Sequence, residues 1–196
     1  MKYGGLTLGQ IEAVINKLGG MEGVRRLLSG EVFVKAVEYV FPIWKTIKLG
    51  TGKTVGDFRN DLRRGNLKLG DWASDIIGKP AFTTATEETE VDLVRVAVAE
   101  LGFKKGARRD QIYERANEFG LELCPAEVGP QLRLQYQDQP NKEQILIGME
   151  PIIVSDGTPR AFGIESLDSE LWLSAYYGSP GRDWDAEHQW VFVRRK

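Results

Sequence analysis

QILIGMEPIIVSDGTPRAFGIESLDSELWLSAYYGSPGRDWDAEHQWVFVRRK, residues 144–196, decides the fold class. Apolar stretches (Ile145 to Met149, Ala161 to Ile164, Leu171 to Tyr177, Trp190 to Val193) alternate here with turn-forming clusters, Ser155-Asp156-Gly157, Asp168-Ser169 and Gly178 to Arg182. Short β-prone runs separated by turn residues specify an antiparallel sheet. The segments before it read mainly as helices. The chain is therefore expected to be α+β: helical through the front and middle, with a C-terminal antiparallel β-sheet of about three to five strands.

The 196 residues suffice for one large domain or two small ones, and 42% hydrophobic content fills a core without disulfides. A formal net charge of −2 leaves no global field that would draw the chain to nucleic acid or anionic lipid, so any partner is recognised by a local patch. Cys124 is the only cysteine, which excludes an internal disulfide and fits a reducing compartment. Met1-Lys2-Tyr3-Gly4-Gly5 has no signal-peptide core and no run approaches the length of a membrane helix. The sequence reads as cytoplasmic, with no membrane partner.

Upstream, Thr7 and Gln10 have capping-box spacing, and Ile11, Val14, Ile15 and Leu18 share one face of a helix that Gly19-Gly20 would stop. A second short helix would bury Val24, Leu27 and Leu28. Between Glu31 and Leu49, Val32, Val34, Val37, Tyr39, Val40 and Ile47 predict one strand interrupted at Pro42, or two strands. Thr54 would cap a helix that uses Val55, Phe58 and Leu62, and Asp71 to Ile77 reads as another helix. The Thr- and Glu-rich stretch Thr83 to Glu90 suggests a linker between a helix-rich part, residues 1–84, and a rear part, residues 85–196, unless the two form one continuous domain. Val91 to Leu101, apolar on most sides, predicts a central buried helix. Arg109 to Phe119 is amphipathic, Leu121 to Cys124 suits a brief strand, and Ala126 to Tyr136 suits a helix with Pro130 in its first turn.

Gly50-Thr51-Gly52-Lys53-Thr54 resembles the tail of a phosphate-binding loop. The position where the first glycine of that motif is required is Ile47, so the loop is too short to wrap phosphates with its amides. Cys124 and His188 are the only thiol and imidazole, and a thiolate–imidazole nucleophile would have to use both. Cys124 sits between Leu123 and Pro125, a context that favours a small buried hydrophobe. Asp183, Asp185 and Glu187 would line one side of an extended backbone, where hard cations bind, but the glycine and terminal glutamate of a calcium loop are missing. Neither metal nor cofactor is expected. Glu122, Glu127 and Glu150 would form an acid/base pair only at suitable distances, which sequence alone does not fix.

Lys104, Lys105, Arg108 and Arg109 gather at the junction of two predicted helices, an arrangement that imitates a helix-turn-helix and would attract a phosphate backbone. Asp110, Glu114 and Glu118 on the second helix would oppose it. In the C-terminal tract, Trp172, Tyr176, Tyr177, Trp184 and Trp190 provide large rings that bury area at low entropic cost. Trp172 and Trp190 are expected in the sheet's own core, leaving Tyr176, Tyr177 and Trp184 as candidates for contact with a partner.

Leu6-Thr7-Leu8-Gly9-Gln10, Thr46-Ile47-Lys48-Leu49-Gly50, Gly70-Asp71-Trp72-Ala73, residues 123–133 and Trp190-Val191-Phe192-Val193-Arg194-Arg195 together resemble a family of bacterial proteins of about this length that has no established reaction, cofactor or partner. The likeness spans nearly the whole chain. It implies a bacterial intracellular origin and brings no catalytic residue with it.

With aromatic surface, one basic junction and no complete catalytic set, the sequence favours a non-enzymatic intracellular binding module whose partner is another protein. The alternatives are a nucleic-acid-binding protein using the 104–109 junction and a hydrolase whose site assembles only in the fold.

Overall fold

Thr7 accepts a hydrogen bond from the Gln10 amide and Gln10 Oε1 accepts one from Thr7 N at 2.8 Å, closing the expected capping box at the start of helix α1 (Leu8–Lys17). Gly19 and Gly20, both at positive φ, separate it from α2 (Gly20–Leu28). The computed structural model describes residues 7–31, 41–51 and 54–195, and the chain divides into two units, Met1–Tyr39 and Val40–Lys196. In the first unit the stripe expected to be buried is not. Neither helix has a buried residue: Val24 and Leu27 are half-buried, and Leu28 is exposed along with Leu8, Ile11, Val14 and Met21. The strand expected over residues 32–40 falls outside the described residues.

The second unit is built on a sheet. Its strands are β1 (Lys45–Leu49), β2 (Lys68–Leu69), β3 (Thr89–Ala97), β5 (Leu121–Glu122), β6 (Gln144–Ile147), β7 (Ile152–Ile153), β8 (Pro159–Leu167), β9 (Glu170–Tyr177) and β11 (Gln189–Arg194). The order is β1-β3-β11-β6-β8-β9-β2, with β5 added to β11 and β7 to β8. A separate ribbon pairs β4 (Ala107–Arg108) with β10 (Asp183–Trp184). The α+β class holds, but among the described residues the sheet has nine strands, recruits the front half and is mixed, since β11 pairs β6 and β9 pairs β2 in parallel. β1 pairs with β3 across Thr83 to Glu90, so the segments on either side of that stretch share one sheet.

Val91 to Leu101, expected as a helix, is β3 followed by a turn. Its apolar residues are all-round because β3 lies between β1 and β11 and is covered on both faces: Leu93 enters one core, Val94 and Val96 the other. A strand buried on both sides loses the alternation that identifies it.

Helices α3 (Val55–Arg64), α4 (Asp71–Ile77) and α6 (Val128–Gln135) form within the segments expected to be helical. Thr54 and Asp57 make a capping box for α3, and Pro130 is accommodated in the first turn of α6. These three helices bury Phe58, Leu62, Ala73, Ile76, Val128 and Leu132 against Ile145, Phe162, Ile164, Leu173 and Val191 on one sheet face. The opposite face packs Ile112 and Ala116 of α5 (Arg109–Glu118) against Val94, Val96, Leu146, Trp190 and Phe192. Along β8 the inward residues of the first face are Phe162 and Ile164, so Gly163 and Glu165 point to the second face.

Candidate functional site

The Gly50–Thr54 loop is engaged by the protein itself. Gly50, at φ +67°, has its amide 2.8 Å from Oε1 of Glu127, a carboxylate almost wholly buried, and Glu127 Oε2 accepts the Ala85 amide at 2.7 Å. An added Cβ at Gly50 would lie 1.9 Å from the Glu87 carbonyl oxygen, so glycine is required there. The Gly50 amide is thus already taken by an internal carboxylate. Gly52 and Lys53 lie outside the described residues. The adjacent cavity of about 500 Å³ is lined by Lys48, Thr51, Asp61, Arg64, Gln131 and Gln135 among others. Its cations are ion-paired, Lys48 with Glu88 at 2.8 Å and Arg64 with Asp61 at 2.7 Å. Gln135 spends its amide on both backbone groups of Lys48, and Gln131 donates to Thr51 and Glu127.

Cys124 and His188 are not brought together. Cys124 is buried in the core beneath α3, α4 and α6; its Sγ lies 3.4 Å from the Val191 carbonyl oxygen, and burial pushes its thiol far above the ordinary range. His188 packs edge-on against Trp184, whose ring belongs to the other core, and its Nδ1 accepts the Asp185 amide at 3.0 Å. The Asp185 carboxylate lies 3.8 Å from the same nitrogen. Asp183, Asp185 and Glu187 are exposed but do not line up, because β10 ends at Trp184 and a turn follows. No group of three or more metal-ligating side chains occurs among the described residues. Glu122 pairs with Arg195 at 2.8 Å.

At the basic junction a strand and a turn, not a helix, precede α5, so there is no helix-turn-helix. Lys104, Lys105 and Arg108 are exposed, but Arg108 forms a fork-to-fork pair with Asp110 at 3.1 and 2.9 Å. Arg109 is buried, its guanidinium 4.6 Å from the Tyr113 ring centre. The four cations do not share one exposed face.

The aromatic candidates separate as well. Trp184 is buried in the second core, as is Trp190. Tyr177 is exposed and stacks on Arg160. Trp172, expected in the core, belongs to neither core and is half-buried on the second sheet face. It heads a row that sequence reasoning did not assemble: Gln144, Glu165, Trp172, Ser174 and Tyr176, all half-buried. Pairing places Gln144 directly beside Glu165 on β6 and Trp172 directly beside it on β9.

Glu165 is the centre of this row. Ser174 donates to its Oε1 at 2.5 Å, and the Tyr176 hydroxyl donates to its Oε2 at 2.6 Å while accepting from Gln144 Nε2 at 2.8 Å. Burial, and next the Glu165 carboxylate, push the Tyr176 phenol up, so it remains a donor across the physiological range. Tyr176 reaches Glu165 because its ring lies flat over Gly163; a Cβ there would sit 2.6 Å from Tyr176 Cε2. Among the described residues no lysine, arginine or histidine forms an ion pair with Glu165. The only advance signal was the spacing Trp172-Ser174-Tyr176, which a strand projects to one side.

No known protein family, curated protein or solved structure matches this chain.

Proposed function

We propose that this protein is a non-enzymatic cytoplasmic binding module that recognises another protein on the β6–β8–β9 face carrying Glu165. One observation carries this reading: a Trp, a Tyr and a carboxylate stand side by side and half-buried, and among the described residues no cation forms an ion pair with the carboxylate. Aromatic rings next to fixed polar groups are the composition of protein-recognition centres. The exposed Leu8, Ile11, Val14 and Leu28 of α1 and α2 support the same class, since apolar helix faces in solvent serve association. We read the Glu165 row as a recognition surface because both of its hydroxyls donate to the same carboxylate and hold it ready to accept bonds from a partner's donors.

The test is photocrosslinking in cells from a reactive residue placed at exposed Leu167, two residues from Glu165 on the same strand, with exposed Gln137 as the control position. A discrete adduct from position 167 that is lost in Glu165→Gln is expected. A yield at 167 no higher than at 137 would rule the face out as a recognition surface.

A further inference from the structure

Elsewhere in the same unit, two carboxylates show how this fold completes such a constellation. Glu143 accepts the Tyr136 hydroxyl at 3.0 Å and a guanidinium N–H of Arg95 at 2.6 Å, while the Arg95 guanidinium lies 5.4 Å from the Trp44 ring centre. Asp156 holds Arg160 at 3.3 Å, with that guanidinium between Trp72 and Tyr177 at 4.3 and 4.4 Å. Each site joins a carboxylate, an aromatic face and an arginine. Glu165 has the carboxylate, the donating tyrosine and the neighbouring tryptophan, but no arginine.

From this comparison we infer that the Glu165 site binds the guanidinium of an arginine side chain presented by a partner protein, an assignment that rests on the binding-face reading above. Ser174 and Tyr176 occupy one lone pair on each carboxylate oxygen, which leaves the second of each for a charge-assisted bond. The same two hydroxyls fix the carboxylate plane before anything binds, lowering the ordering cost. Trp172 stands directly beside Glu165 on the neighbouring strand, and an indole next to a carboxylate suits a planar guanidinium better than a compact, strongly hydrated ammonium. The row runs across three neighbouring strands, a setting in which an arginine delivered by a larger surface gains further contacts around it.

The experiment uses the full chain and records Trp172 and Tyr176 resonances by NMR on titration with acetyl-Gly-Arg-Gly-amide. The neutral control is the same peptide with citrulline, which keeps the shape and lacks the charge. Saturable shifts with the arginine peptide are expected, with affinity about tenfold or more weaker for citrulline. The Glu165→Gln variant should lose the shifts, as should Trp172→Leu, which changes the ring and not the carboxylate; thermal melts of both confirm folding. Equal binding of arginine and citrulline, or no shift with either, overturns the arginine assignment alone when a soluble paramagnetic chelate still broadens the Trp172 indole signal. An indole signal untouched by the chelate shows the face to be covered, and overturns the binding-face reading with it.

Discussion

Replacing Glu127 with glutamine should destabilise the protein strongly although it changes one atom and no packing volume. The carboxylate accepts three hydrogen bonds: from Gly50 N at 2.8 Å, Ala85 N at 2.7 Å and Gln131 Nε2 at 2.9 Å. A glutamine amide supplies one oxygen, so in either orientation an NH2 group faces a backbone N–H. The lower-energy orientation keeps the oxygen on Gly50 and Gln131 and turns the NH2 toward half-buried Ala85. That loses one charge-assisted bond, about 1.5–3 kcal/mol, and weakens the two that remain. Relief from burying a charge offsets part of this, leaving about 2–4 kcal/mol. With a urea m-value of about 2 kcal/mol/M, the midpoint should fall by about 1–2 M. Amide exchange should accelerate at Ala85 more than at Gly50, because only the former loses its acceptor. A midpoint shift below about 0.3 M would show that the carboxylate does not fasten the 50 and 85 segments together, and would reopen the glycine loop as an anion site.

Native Cys124 should resist iodoacetamide at pH 8 and react only through unfolding, since its thiol is buried; labelling at the rate of a free thiol would contradict this. Its folded pKa lies above the unfolded value of 9.0, so the native state keeps a proton that the unfolded chain releases, and stability falls as pH rises past 9.0. The loss from this one group is about 1.4 kcal/mol by pH 10, and Cys124→Ala should flatten the pH dependence by that amount in urea titrations at pH 8 and 10. Thr54→Ala removes the oxygen that accepts the Asp57 amide at the start of α3 and should cost about 1 kcal/mol, read as a lower Tm; no change would deny the cap its role. Asp168 and Ser169 both adopt positive φ in the two-residue β8–β9 loop, so Asp168→Asn with Ser169→Gly should add about 0.5–1 kcal/mol, and a drop in Tm would show that the loop is not the turn described.

What was legible in the sequence was whatever a short window determines. Thr7 and Thr54 announce their helices because capping is a contact within one turn. Strands β8 and β9 declare themselves because turn residues interrupt apolar runs. Strand β3 misled because its two faces enter two different cores, and a run without alternation has no period to read. The size of the sheet was hidden for a related reason: β1 joins β3 about forty residues away, and β11 joins β6 in parallel, pairings that no local pattern specifies. At the site, single residues were visible and their association was not. Tyr176 stood out as a ring, whereas Glu165 looked like one more surface acid until pairing set Gln144 on one side of it and Trp172 on the other.

That dependence on pairing ties the proposed site to the hairpin loop. The Leu167↔Glu170 pair, closed by Asp168 and Ser169, fixes the register through Glu165↔Trp172 to Arg160↔Tyr177. A slip of one residue would turn Trp172, Ser174 and Tyr176 into the core beneath α4 and α6 and push Leu173 into solvent. The core therefore protects the register, because Leu173 and Ile164 are paired and fully buried on the helix-covered face. The same strands thus do two jobs on alternate residues: one set binds the helices, and the other holds a carboxylate between two hydroxyls and a ring. Lengthening the loop by a residue should for this reason damage stability and arginine binding together, whereas Glu165→Gln should remove binding and leave the helix-covered core intact.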